Sequence, residues 1–104
     1  MGEAYIVAAT RTAGGRKGGK LKDWHPVDLG ATVLNDLVAR TGADPALIED
    51  VVMGCVGPVG EQGGNIGKAA CLLAGWSPHL SAVTINRYCA SGLSAVNWAA
   101  QQAR

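Results

Sequence analysis

Three short apolar runs, separated by helical patterns, constrain this chain more than any other feature. The runs cover residues 5–10 (YIVAAT), 51–56 (VVMGCV) and 82–86 (AVTIN). They are rich in Val and Ile and nearly continuous rather than alternating, the pattern of strands covered on both faces of a parallel sheet. The resulting order, β-α-β-α-β-α, predicts an α/β fold with right-handed crossovers and helices packed on a mostly parallel sheet. A three-stranded sheet is thin, and its edges need covering. At 104 residues the chain holds one modest domain.

The helical segments carry their own punctuation. Pro26 suits a first helical position, where a missing amide costs nothing. Val27, Ala31, Leu34 and Val38 then form an apolar stripe, widened by Gly30, Val33 and Leu37. Asp28 in the first turn and Arg40 in the last suit the helix dipole, and Gly42 provides a left-handed stop. Asp44-Pro45 reads as the cap and first position of one further short turn. The second helix is expected over 65–74, with Ile66, Ala69, Ala70 and Leu73 inward and Gly75 as terminator. The third starts near Cys89 and turns Leu93, Val96, Ala99, Ala100 and Ala103 to one side. It reaches Arg104 without a stop signal, as expected of a segment cut from a longer polypeptide.

Composition narrows the function. A formal net charge of +1 gives no support for nucleic-acid or membrane-surface binding. No apolar run approaches membrane-spanning length. Met1-Gly2-Glu3-Ala4-Tyr5 shows no charged leader with an apolar region behind it, and Ile6 stands where myristoylation needs Ser or Thr. Cys55, Cys71 and Cys89 are too far apart for a redox pair or zinc knuckle, and their odd number argues against a disulfide framework. Reduced thiols in the cytoplasm are the expectation.

The segment 84–93 (TINRYCASGL) is the strongest chemical candidate. A strand ends at Asn86, and Ala90, Ser91 and Gly92 open a helix directly after Cys89. A thiol at a helix start faces unpaired amides and the positive dipole end, which favour thiolate, and the same amides can stabilise an oxyanion. Gly92 and Ala90 leave room for a substrate. The layout parallels a nucleophile elbow, although GxSxG is absent. Position alone leaves a second reading equally open, a cysteine packed as a small hydrophobe.

Other signals favour ordinary roles. Residues 14–20 (GGRKGGK) match most of a P-loop, but Leu21 replaces the magnesium-binding Ser or Thr and no helix follows. A solvated basic loop is the default. His25, just before a helix, and His79, after Pro78, read as turn residues rather than bases for the thiol. Cys55 and Cys71 read as packing residues. Trp24, Trp76 and Trp98 read as core or interface, with Trp98 the best interface candidate.

Residues 86–95 (NRYCASGLSA) resemble the nucleophile motif of thiolases, enzymes that cleave or form 3-ketoacyl-CoA. Residues 8–12 (AATRT), Asp28-Leu29-Gly30, Gly54-Cys55-Val56 and the stretch 63–70 agree with that family in order and spacing, so the resemblance covers essentially the whole chain. Ala13 departs from it where proline is common, which affects loop rigidity. Arg87 with Cys89 and Leu93 looks more like the degradative 3-ketoacyl-CoA branch, that of fatty acid β-oxidation, than the biosynthetic acetoacetyl-CoA branch.

The resemblance implies that residues 1–104 are a partial N-terminal thiolase domain, with the loop domain and C-terminal half outside this sequence. It implies that Cys89 carries the acyl group, that coenzyme A is a substrate with no cofactor or metal, and that the enzyme is a homodimer or homotetramer with the strand before Cys89 near the subunit interface. The family's Asn-Glu, Gly-His-Pro and late Cys-x-Gly motifs lie outside these residues, so the isolated chain is expected to be inactive. The alternatives are a non-catalytic fragment or split subunit acting as an interaction module, a biosynthetic acetoacetyl-CoA thiolase, and a ketoacyl-synthase-like condensing enzyme.

Overall fold

A computed structural model describes residues 2–104; Met1, the first residue of the segment read above for a leader, lies outside them. Three helices and two strands make up the regular structure: α1 (Pro26–Thr41), β1 (Asp50–Gly54), α2 (Ile66–Leu73), β2 (Ser81–Ile85) and α3 (Ser91–Ala103). Short 3-10 turns occupy Pro45–Leu47 and Gly60–Gln62. The strands pair in parallel, Asp50 against Ser81 through Gly54 against Ile85, so α2 serves as the crossover.

The first expected strand does not form. Residues 5–10 join no strand ladder among the described residues, and Ile6 is 83% exposed. A strand needs a neighbour for its amides and carbonyls, and neither edge of the two-stranded sheet takes this segment. The segment ends at Thr10, whose hydroxyl, ahead of the Arg40 guanidinium, hydrogen-bonds the Asp36 carboxylate and lowers its pKa.

α1 begins and ends as its sequence dictates. His25 caps it, its Nδ1 accepting from the Val27 amide at 3.1 Å, with Pro26 as the first helical residue. Gly42, at φ 67°, closes it by donating to the Val38 carbonyl. Asp44 likewise accepts from the Ala46 amide ahead of the first 3-10 turn.

Successive strand residues face opposite sides of a sheet, and Met53 and Gly54 show what covers each. Met53 faces Gly67 of α2 and Gly30 of α1, whereas Gly54 meets the start of α3. The core lies on the first side: Leu34, Ala70, Cys71, Trp76 and Leu80, with Val51, Met53 and Ala82 packed against them. The strands are only half-buried rather than fully covered on both faces.

The inward faces of α2 and α3 differ from expectation. Cys71 is fully buried and Leu73 exposed on α2; on α3 the buried residues are Ser91 and Ala95, while Leu93 and Val96 point outward. The cause on α3 is closeness. Its first turn approaches the β1 backbone so tightly that only small side chains fit between them.

Asn65 ties α2 to β2. Its Oδ1 accepts from the Lys68 amide at 3.3 Å and from the Thr84 hydroxyl at 2.7 Å, and its Nδ2 donates to the Ala82 carbonyl at 3.0 Å. Thr84 Oγ1 in turn accepts from the Gly67 amide. Asn65 sits at φ 62°, a left-handed conformation that Asn tolerates better than most residues. Asn65→Ala loses the cap and retains the strain, so it is expected to cost about 2 kcal/mol. Urea unfolding of the variant checks this, and an unchanged midpoint would show the cap to be idle.

Candidate active site

The chain leaves β2 at Ile85 and enters α3 at Ser91, so five residues make the whole turn. Asn86 Oδ1 accepts from the Tyr88 amide at 2.9 Å. The amides of Ala90 and Ser91 donate back to the carbonyls of Arg87 and Tyr88 at 3.1 and 3.0 Å. This winding forces Tyr88 to φ 49°, a left-handed conformation costing about 1–2 kcal/mol in a residue with a Cβ. Cys89 follows immediately and is exposed. The helix proper starts at Ser91 with Ala90 as its cap residue, so Cys89 stands on the turn just before it, close to where the sequence places it.

Ser91 secures the turn from inside. It is 2% exposed, and its Oγ accepts from the Arg87 amide at 2.8 Å while donating to the Tyr88 carbonyl at 2.6 Å. Behind it lies Gly54: a Cβ built there would fall 2.4 Å from the Ser91 carbonyl carbon and 2.6 Å from the Gly92 nitrogen. The turn that carries Cys89 therefore rests directly on the backbone at the end of β1.

This arrangement changes which amides are available to an oxyanion. Those of Ala90 and Ser91 are engaged in the turn. The next two, of Gly92 and Leu93, lie at the start of α3, where Ala90 provides no capping side chain. Gly92 has open space where a Cβ would stand, so a substrate can approach the backbone there. An exposed thiol beside uncapped amides suits attack on a carbonyl carbon.

The remaining candidates stay apart from this turn. His79 precedes β2 and Cys89 follows it, and the five-residue strand between them spans about 13 Å, well beyond hydrogen-bond reach. His25 is engaged as the α1 cap through Nδ1. Cys55 is buried just beyond β1, and burial pushes the Cys71 thiol up despite the opposing charge of Lys68. The glycine-rich stretch 14–22 forms successive turns, with Gly19 and Lys22 amides donating to Arg16 and Gly19 carbonyls, and leads to no helix before Pro26. Trp76 is core; Trp98 is partly exposed beside Asn86 and Arg87. Among the described residues no group of three or more His, Cys, Asp or Glu could hold a metal ion. No helix among them is long and apolar enough to cross a membrane.

Sequence reasoning singled out Cys89 as a candidate but not the residues that hold its turn. Ser91 reads in sequence as one more small residue at a helix start, and nothing local marks its hydroxyl as buried. The signal for Gly54 was its place in an otherwise apolar strand, where glycine often marks close backbone approach.

Residues 4–104 match the thiolase N-terminal domain family. The chain is 46% identical over 101 residues to a steroid 3-ketoacyl-CoA thiolase of Mycobacterium tuberculosis, covering 97% of this chain and 25% of that protein. It is 40% identical to a 3-ketoacyl-CoA thiolase of Bacillus subtilis, covering 98% of this chain and 26% of the relative. The crystal structure of the Bacillus anthracis acetyl-CoA acetyltransferase superposes with a TM-score of 0.73 at 37% identity, over 82% of this chain and 21% of that one. The chain thus spans about a quarter of the length of the curated relatives it matches. Over nearly all of its residues, this chain belongs to the thiolase family, in the region of that family's N-terminal domain.

Proposed function

We propose that this chain is the nucleophile-bearing part of a longer thiolase that cleaves 3-ketoacyl-CoA with coenzyme A. The observation that carries the reading is Cys89, exposed on a strained turn between β2 and α3 with uncapped amides after it. Its Sγ, as thiolate, attacks the 3-keto carbon. The bond between C2 and C3 breaks, its electron pair leaves with the acetyl-CoA portion, and that carbon takes a proton from an acid outside these residues. The shortened acyl group stays on Cys89 as a thioester. A second coenzyme A thiolate then attacks the thioester carbonyl and releases Cys89, the two-step pattern of covalent catalysis. Coenzyme A is a substrate here, not a resident cofactor.

Support for the degradative reaction comes from the relatives named as 3-ketoacyl-CoA thiolases. The family resemblance implies that the base that activates the thiol lies outside these residues; His25 is engaged as the α1 cap, and His79 lies before β2. The isolated 104 residues are therefore expected not to turn over substrate.

The test is to mix the complete polypeptide with 3-ketoacyl-CoA, quench it, and map the modified peptide by mass spectrometry. The expected result is one acyl group on the peptide containing Cys89, removed on adding coenzyme A. Acylation elsewhere, or none while cleavage proceeds, would overturn the proposal. A second reading, a non-catalytic interaction module, draws on the exposed apolar residues Ile6, Val7, Leu93 and Val96. It predicts neither adduct nor cleavage.

A further inference from the structure

The buried hydroxyl of Ser91 is the one polar side chain sealed inside the fold among the described residues, and nothing in the proposed reaction uses it. It does not contact solvent, so it does not meet substrate. Its two strong partners are both backbone groups of the nucleophile turn: the Arg87 amide and the Tyr88 carbonyl. Asn86 Oδ1 lies 3.4 Å away and is a weak third partner, since the single hydroxyl proton already goes to Tyr88 at 2.6 Å. Asn86 acts instead on the other side of the same residue, accepting the Tyr88 amide. Tyr88 is thus gripped at both its N–H and its C=O, and it is the residue held at φ 49° directly before the cysteine.

A non-glycine residue persists in that conformation only where its surroundings over-determine it. Here the surroundings are Ser91, Asn86 and the backbone wall at Gly54 that keeps Ser91 in place. We infer that Ser91 is a positioning residue for the nucleophile: by holding Tyr88 in its left-handed conformation it sets where Cys89 Sγ stands relative to a bound acyl-CoA. The inference rests on the proposed role of Cys89 as acyl carrier. It predicts that loss of the hydroxyl slows the chemical step without weakening substrate binding, because a small misplacement of a reacting atom acts on the rate.

The experiment compares four forms of the complete polypeptide: the parent, Ser91→Ala, Tyr88→Gly and the double variant. Steady-state kinetics with 3-ketoacyl-CoA and the rate of acyl-adduct formation at Cys89 are read for each. Ser91→Ala is expected to lower kcat and the acylation rate about 30-fold, with KM changed less than about threefold. In the Tyr88→Gly background the same change is expected to cost less than about fivefold, because glycine adopts the left-handed conformation without a clamp. A merely structural role would give equal losses in both backgrounds and overturns the inference, as does a Ser91→Ala variant with parental kcat. If Ser91→Ala does not fold, Asn86→Ala tests the other arm of the grip, and parental kcat there overturns the inference too. A parent that forms no adduct at Cys89 instead marks failure of the proposed function, and the inference falls with it.

Discussion

Cys89→Ala in the complete polypeptide is expected to lower coenzyme A-dependent cleavage of 3-ketoacyl-CoA by on the order of 10⁴-fold or more. Removal of a covalent nucleophile has effects of this scale because no alternative step of similar barrier remains. A 10⁴-fold loss corresponds to about 5.4 kcal/mol of transition-state stabilisation. Cys89→Ser is expected to fall nearly as far, since an alcohol is a much weaker nucleophile than a thiolate at neutral pH. The other cysteines are the controls. Cys55 and Cys71 are buried whereas Cys89 is exposed, so Cys55→Ala should retain turnover, and Cys71→Ala should lose stability before activity. Undiminished cleavage by the alanine variant would remove Cys89 from the mechanism and leave the interaction-module reading standing.

The local grammar of the fold was legible in the sequence, and the packing was not. Pro26 and Gly42 bracket α1 as read, and Asp44-Pro45 opens a short turn as read, because each works through bonds to residues a few places away. The boundaries of β1 and β2 follow the apolar runs to within about two residues. The first run failed for a different reason. Residues 5–10 have strand composition, but composition does not say whether a neighbouring strand exists. The faces of α3 failed similarly: Leu93 and Val96 form a plausible inward stripe, yet the contact with β1 excludes large side chains and selects Ser91 and Ala95. At the site, Cys89 was visible from its place between strand and helix. The left-handed Tyr88 and the buried Ser91 hydroxyl were not, since both depend on how the turn winds back on itself in three dimensions.

Gly54→Ala is expected to be the most damaging single methyl addition in this segment, destabilising the fold by about 3 kcal/mol, toward the upper end for overpacking. The added Cβ would lie 2.4 Å from the Ser91 carbonyl carbon, 2.5 Å from its oxygen and 2.6 Å from the Gly92 nitrogen. All three are backbone atoms, so no side-chain rotation relieves the contact, and α3 must move away from β1. Gly92→Ala is the matched control: outside its chain neighbours and the surrounding helix backbone, no heavy atom lies within 4 Å of the Cβ it would add. There the greater helix propensity of alanine should leave stability unchanged or raise it by up to about 1 kcal/mol. Urea unfolding of both variants in the complete polypeptide gives the comparison. Parental stability in Gly54→Ala would show that the strand and helix do not meet backbone to backbone. The expected loss carries a functional consequence as well. A shift of α3 carries Ser91 with it and loosens the grip on Tyr88, so whatever Gly54→Ala protein remains folded should acylate Cys89 more slowly than the parent.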